Sequence, residues 1–223
     1  MYELKIAKLR EMPVFSLADI SQIVSGKEYA KKLAKRLVKA NALFKIKRGL
    51  YTFYDDPFLV SSFLLKPSYI SSASALSYHK LITQLPKDIF CFTSKQKKKL
   101  DFVTEILFFH TNYFFGFEMQ KYENFILPVA TPEKAVIDSL GILPISVFEE
   151  AMEKIDLERM LAYLKKIGKS CFTKRIGYLL EKNGFDVYDR LKKGINNKYI
   201  LLDTIAKKEG AKDKRWKLII NVR

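Results

Sequence analysis

Lysine and arginine side chains are concentrated between Lys27 and Arg48, where nine of them accompany one acid, Glu28. Such side chains bind phosphates, because each carries a positive charge and several hydrogen-bond donors. Gathering them on one surface costs self-repulsion, which a polyanionic partner offsets. The stretch therefore predicts an interface with double-stranded DNA. The predicted contact set is Lys27, Tyr29, Lys31, Lys32, Lys35, Arg36, Lys39, Lys45, Lys47 and Arg48.

The members of this contact set have different predicted roles. Most of the lysines neutralise phosphates, which is a salt-dependent and sequence-blind contribution to binding. Arg36 has two alternatives, a guanine edge or the DNA backbone, because it comes late in its helix. Tyr29 contacts either a thymine methyl group or a phosphate. The competing interpretation of the whole set is a solvated helix face, and the same charge on Lys45, Lys47 and Arg48 argues against it.

Three short helices are predicted to carry or position this set. The first ends near Pro13. The second begins at Ser16, whose hydroxyl and the Asp19 carboxylate form a capping box. Ser25 and Glu28 repeat that start signal for the third helix. Its apolar residues recur at helical spacing along one stripe, comprising Ala30, Leu33, Ala34, Leu37 and Val38.

A basic hairpin follows the third helix, for which Asn41 is the expected C-cap. Two β-prone runs, Leu43–Ile46 and Leu50–Phe53, flank a turn at Lys47, Arg48 and Gly49. Three helices and a hairpin in this order are typical of a winged helix-turn-helix, in which the third helix enters the major groove. The sequence thus predicts a DNA-binding domain over residues 1–55.

The predicted fold class is α+β, with the winged helix followed by a mixed α+β domain over residues 56–223. A helix is expected from Ser71 to Leu81, and another begins at Thr131 with Pro132 in its first turn. A strand is expected over residues 102–111. The basic run Lys95–Lys99 is expected to be a hairpin loop, either a second phosphate contact or a soluble turn.

The remaining reactive side chains do not form a recognisable catalytic or metal-binding pattern. His79 and His110 are the only histidines and are expected to be structural, buried or half-exposed. Glu133 and Asp138 lie about 140° apart around a helix, which separates the two carboxylates. Cys91 and Cys171 are expected to be core thiols. The sequence predicts no catalytic residue, no metal site and no cofactor, and no phosphate-binding glycine motif occurs.

The overall composition limits the classes of partner that the protein is expected to bind and indicates its cellular compartment. The 223 residues carry 40 Lys and Arg against 24 Asp and Glu, a formal net charge of +16. This excess favours nucleic acid, an acidic protein or an anionic membrane surface as partner. Two cysteines are too few for a disulfide framework, so a reducing cytoplasm is expected. No apolar run has the length of a membrane span or a signal peptide.

Three local patterns occur in order along the chain: KRGLYTF, YISSASALSYHKL and ATPEKAVIDSL. This series resembles the AbiEi family of antitoxins and transcriptional regulators, and the terminal RWKLIINV is similar to its closing strand. The resemblance spans the chain from about Phe15 to its end. It implies an N-terminal winged helix that binds promoter DNA at inverted repeats and represses its own operon.

The resemblance also implies a C-terminal domain with antitoxin action against a nucleotidyltransferase-like toxin, without a stable complex between the two proteins. It places DNA contacts at Lys31, Lys32, Lys35, Arg36, Lys47 and Arg48 and leaves the oligomeric state open. We therefore predict a cytoplasmic, non-enzymatic regulator. The alternatives are a nuclease or nucleotidyltransferase targeted by its winged helix, and an interaction module for an acidic protein.

Overall fold

Helices and strands alternate along the chain in an α+β arrangement, which confirms the α+β part of the predicted fold class, whereas the N-terminal winged helix stays a prediction. The structure is a computed structural model that describes residues 2–24 and 26–222, with side chains described from residue 6 onward. The expected start signal at Ser25 lies outside the described residues.

The helices and two 3-10 turns have these bounds: α1 (Tyr2–Arg10), α2 (Leu17–Ile23), α3 (Lys27–Lys39), α4 (Pro57–Leu64), α5 (Ser72–Tyr78), α6 (Pro132–Ser139), α7 (Ile145–Phe148), α8 (Leu157–Ile167), α9 (Ser170–Lys182) and α10 (Tyr188–Leu191), with 3-10 turns at Glu149–Lys154 and Lys192–Gly194. The strands are β1 (Phe15–Ser16), β2 (Phe44–Lys47), β3 (Leu50–Thr52), β4 (Ser68–Ile70), β5 (Ile89–Thr93), β6 (Lys98–Phe102), β7 (Thr104–His110), β8 (Phe117–Tyr122), β9 (Phe125–Ala130), β10 (Ile200–Leu201), β11 (Ala211–Asp213) and β12 (Leu218–Ile220).

The strands of the described chain form three sheets, with orders β1-β3-β2, β10-β12-β11 and β6-β7-β5-β4-β9-β8. The chain also divides into two compact units. The first comprises Met1–Tyr69, Lys87–His110 and Met119–Pro128. The second comprises Ile70–Pro86, Thr111–Glu118 and Val129–Arg223. That residues 1–55 form a domain of their own stays a prediction.

The start of α2 has the capping box that the sequence predicts. The Ser16 hydroxyl accepts a hydrogen bond from the Asp19 backbone N–H at 3.3 Å, and the Asp19 carboxylate accepts one from the Ser16 N–H at 2.6 Å. Two of the backbone donors that a helix start leaves without partners are thereby satisfied. This fixes the angle at which the chain leaves β1 and enters α2.

Around this cap lies an apolar cluster that contains the predicted stripe of α3. Leu37 and Val38 pack against the cluster at its border. At the end of α3 the cap is Ala40, one residue before the predicted Asn41. Asn41 instead takes a left-handed φ of +53°, a conformation that asparagine tolerates better than most residues. The buried members of the cluster are Leu9, Phe15, Ile20, Val24, Ala30, Leu33, Ala34 and Leu43.

The expected strand over residues 102–111 is wrong at its start. Residues Lys98–Phe102 form β6, and a tight turn at Val103 reverses the chain into β7. Lys98 and Lys99 therefore lie in a strand rather than in a loop. Val103 has a φ of +58° and is 71% exposed, an unusual conformation for a β-branched residue. The local sequence does not favour a turn at this position. The turn forms because β7 pairs with both β5 and β6, and this pairing outweighs the local propensity.

A buried ion pair within α6 is hydrogen-bonded to Ser71, the residue before α5, in the second unit. The Lys134 ammonium, fully buried, donates to the Asp138 carboxylate one turn later on α6. The second oxygen of that carboxylate accepts from the Ser71 hydroxyl at 2.8 Å. Burial lowers the pKa of Lys134 from its usual range, and the charge of Asp138 opposes this shift.

We expect Ser16→Ala to destabilise the protein by about 1 kcal/mol, because it removes the side-chain acceptor at the start of α2. Urea denaturation measures the change in the free energy of unfolding. Ser21→Ala is the matched control, since its hydroxyl donates to the Ala18 carbonyl inside the same helix. Equal stability of the two variants would contradict the capping role.

We expect Asp138→Asn to destabilise the protein by about 3 to 5 kcal/mol at pH 7, because the buried Lys134 ammonium loses its carboxylate. The loss should shrink as the pH rises towards the lysine pKa of the unfolded chain, about 10.4, since the unfolded state then binds more protons than the folded one. Urea denaturation at pH 7 and pH 9.5 measures both effects.

The matched control is Asp189→Asn, because Asp189 makes an exposed ion pair with Lys192 at 2.7 Å. Its denaturation midpoint should stay close to that of the unchanged protein at both pH values. A pH-independent loss in Asp138→Asn would contradict the assignment of the effect to Lys134.

Candidate nucleic-acid interface

Helix α3 has two faces of opposite character. Ala30, Leu33 and Ala34 are buried against the apolar cluster. At about 100° per residue, the centre of that stripe lies roughly 140° to 180° around the helix from Lys32, Lys35 and Lys39. The helix can pack closely because two of its three buried residues are alanines. The cations are consequently directed away from the protein core.

Every member of the predicted contact set is exposed, including the ring of Tyr29 at 46%. On α3 the exposed members are Lys27, Tyr29, Lys31, Lys32, Lys35, Arg36 and Lys39. In the hairpin they are Lys45, Lys47 and Arg48. These side chains are accessible to a partner, whereas the residues of the apolar stripe within α3 are buried or half-buried.

The β2–β3 hairpin presents its cations through strand alternation and a tight turn. Ile46 is buried, and Lys45 and Lys47 on either side of it are exposed. The register shifts between Lys45 and Lys47, which is an irregularity of the β-bulge type. Gly49 closes the turn with a φ of +77°, a conformation that glycine adopts without strain.

The hairpin is fixed to the start of α2. Strand β1 pairs with β3 in antiparallel register, with Phe15 opposite Tyr51 and Ser16 opposite Leu50. The Leu17 N–H also donates to the Gly49 carbonyl at 3.0 Å, which connects the hairpin turn to the first residue of α2. Because α2 and α3 share one apolar cluster, the hairpin and α3 belong to one packed assembly.

Two local contacts modulate the charge of this surface. Lys31 pairs with Glu28 at 2.6 Å, and the hydrogen bond from Lys31 lowers the pKa of the Glu28 carboxyl. Lys45 lines a groove of about 710 Å³ together with Asp88 and Asp101. Lys87 and Glu105 line the same groove, so its lining contains three carboxylates and two lysines. The sequence contains no signal for that proximity, because the β6–β7 hairpin that brings Asp101 there was not predicted.

The basic run Lys95–Lys99 forms a second positively charged concavity in the first unit. Lys95, Lys97 and Lys98 line a groove of about 800 Å³ with His110. The ammonium of Lys97 lies 4.9 Å from the centroid of the Phe109 ring, a cation–π contact that holds the lysine against the sheet. The two sequence-based alternatives for this run, a second phosphate contact or a soluble turn, stay predictions.

Both histidines hydrogen-bond to backbone carbonyls. His79 is half-buried, and its Nε2 donates to the Ala130 carbonyl at 2.8 Å, as expected of a structural histidine. His110 donates from Nδ1 to the Lys95 carbonyl at 3.0 Å, but it is exposed, contrary to the prediction. His110 is the last residue of β7 and lies beyond the apolar interior of that strand, which explains its exposure.

The other candidate groups are separated in space or buried. The Glu133 carboxylate accepts from the Asp156 N–H at 2.8 Å, whereas Asp138 holds Lys134 and Ser71, so the two carboxylates have different partners. Cys91 is a buried thiol, as predicted, and burial raises its pKa to about 12. Cys171 is only half-buried.

The described residues contain neither a cluster of metal ligands nor a membrane-spanning helix. Among residues 2–24 and 26–222, no three His, Cys, Asp or Glu side chains are grouped as a metal site would require. In the same part of the chain, no helix combines the length and apolar character needed to cross a lipid bilayer.

The chain has a structural neighbour of very different sequence. It is similar to the crystal structure of the RV2827C protein from Mycobacterium tuberculosis, with a TM-score of 0.69 over 97% of this chain and 90% of that chain. The two share 14% sequence identity, so the likeness concerns the fold alone. No protein-family model matches the chain. No curated protein matches it either.

Proposed function

We propose that the protein is a non-enzymatic, DNA-binding transcriptional regulator whose first three helices and β2–β3 hairpin form a winged helix-turn-helix. The observation that carries the proposal is the division of α3 into a buried apolar stripe and an exposed cationic face. The hairpin adds Lys47 and Arg48 within the same packed assembly.

The element order supports this proposal. The chain runs α1-β1-α2-α3-β2-β3, and β1 completes a three-stranded sheet with the hairpin. In a helix-turn-helix the later helix enters the major groove while the preceding helix lies across the backbone. An amphipathic α3 that uses its apolar side for packing leaves its whole cationic side for that groove.

In the proposed mechanism, some contacts position the protein on the DNA backbone and others recognise the base sequence. Lys31, Lys32, Lys35 and Lys39 neutralise phosphates and release counterions, which gives affinity without sequence preference. Arg36 can donate two hydrogen bonds to a guanine edge, or bind the backbone. The hairpin then follows the phosphates or enters the adjacent minor groove. Occupation of a promoter in this way blocks transcription.

The antitoxin role is a further part of the proposal and rests on the AbiEi resemblance. In that scheme the regulator represses its own operon at inverted repeats, and the C-terminal domain, residues 56–223, counteracts a nucleotidyltransferase-like toxin. Co-expression with a nucleotidyltransferase-like gene adjacent to this one, and growth as the readout, tests the antitoxin role apart from DNA binding.

We expect Lys31→Glu combined with Lys35→Glu to weaken DNA binding roughly 100-fold or more, since two cations of α3 become anions. A gel-shift titration against the promoter region measures the affinity, and circular dichroism checks that the fold is intact. The matched control is Lys207→Glu with Lys208→Glu, two exposed lysines of the second unit. Undiminished binding by the α3 variant would overturn the proposal, and chelator-sensitive cleavage of the probe would replace it with a nuclease.

We expect Lys47→Gln to weaken DNA binding more than Lys45→Gln, although both lysines lie on the same strand. Asp88, Asp101 and Glu105 line a groove with Lys45 and Lys87, and we expect the net negative charge of these groups to offset part of the charge of Lys45. The slope of log affinity against log salt should fall by about 0.9 for a lost phosphate contact and by less for Lys45. Equal slopes for the two variants would show that the acidic groove does not affect Lys45.

A further inference from the structure

A pocket in the second unit has the size and the lining of a small-molecule site. It lies between α8 and the α10 region, with a cavity volume of about 630 Å³. Cavities of this size hold small molecules in many proteins. We call it the leucine pocket, after Leu161, Leu164 and Leu191, which line it.

The wall of the leucine pocket is aliphatic. Leu161 and Leu164 are buried residues of α8, and Leu191 is half-buried on α10. Gly194 and Thr173 also line the pocket, and a Cβ on Gly194 would lie 3.3 Å from the Thr173 methyl carbon. The lining residues include no aromatic ring on which a nucleobase could stack. The shape and lining therefore suit a flexible hydrocarbon chain.

The rim of the leucine pocket is positively charged. Lys165, Lys193 and Arg190 line it, with Glu158 as the one acidic residue of the lining. Glu158 and Arg190 form a bidentate pair, with both N–O distances at 2.7 Å. Among the described residues, neither Lys165 nor Lys193 has an ion-pair partner. An incoming anion would therefore meet two lysine ammonium groups beside an apolar cavity.

We propose that the leucine pocket binds an aliphatic carboxylate, with its hydrocarbon chain against the three leucines and its carboxylate between Lys165 and Lys193. Burial of the chain supplies the affinity, since each methylene removed from water stabilises the complex. The lysines supply selectivity for an acid over an alcohol or an amine of the same length. The site is independent of the proposed DNA interface, because all of its residues belong to the second unit.

The test uses the full chain with 13C-labelled leucine methyl groups, titrated with sodium octanoate and followed by NMR. We expect saturable shifts at Leu161, Leu164 and Leu191 and none at Leu59, which is buried in the first unit. Octylamine has the chain length of octanoate without its negative charge, and acetate has the charge without the long chain. Each should bind at least about tenfold more weakly than octanoate. Octylamine binding as tightly as octanoate, or an absence of saturable shifts, would overturn the site.

Two variants test the lysine charges and the cavity volume separately. Lys165→Gln with Lys193→Gln should weaken octanoate binding about tenfold, whereas Lys207→Gln with Lys208→Gln should leave it unchanged. Ala162→Phe places a ring in the cavity from an exposed position of α8 and should abolish binding without changing the circular dichroism spectrum. Octanoate binding that persists in Ala162→Phe would contradict the assignment. The Lys31→Glu, Lys35→Glu protein should bind octanoate normally, so loss of DNA binding and loss of this site are distinguishable.

Discussion

The short pairing of β1 with β3 is the contact on which the cationic surface depends. It contains only Phe15 and Ser16 on one side and Leu50 and Tyr51 on the other. A two-stranded hairpin alone is marginally stable in water, and a third strand with a side chain in the core stabilises it. Phe15 supplies this side chain, at 1% exposure. One buried ring thus orients the hairpin with respect to the helix that precedes α3.

The same arrangement imposes an electrostatic cost on the unliganded protein. Like charges on α3 and on the hairpin raise the free energy of the folded state, more strongly at low ionic strength. A polyanion that binds only the folded protein lowers this free energy by mass action. Without such a polyanion, the apolar stripe of α3 must hold the helix in place against this repulsion.

The sequence predicts best those features that depend on neighbouring residues. The Ser16–Asp19 capping box, the apolar stripe of α3 and the Thr131–Pro132 helix start each follow from residues within one or two turns. All ten contact residues are exposed for the same reason, since helical periodicity and strand alternation alone direct them outward.

The features that the sequence did not predict depend on contacts between distant segments. The turn at Val103 has no local signal, because valine disfavours a positive φ and the strand pairing imposes it. The groove that brings Asp101 beside Lys45 follows from that turn. The leucine pocket requires α8 to meet the α10 region, which helical periodicity within either segment cannot reveal.

The position of β6 at the edge of the six-stranded sheet has a consequence for the behaviour of the protein in concentrated solution. An edge strand presents unpaired backbone groups to which a strand of another molecule can add. Lys98 and Lys99 are both exposed on β6, and approach of a second copy would bring like charges together. The lysines thereby oppose intermolecular sheet extension and fibre formation along this edge.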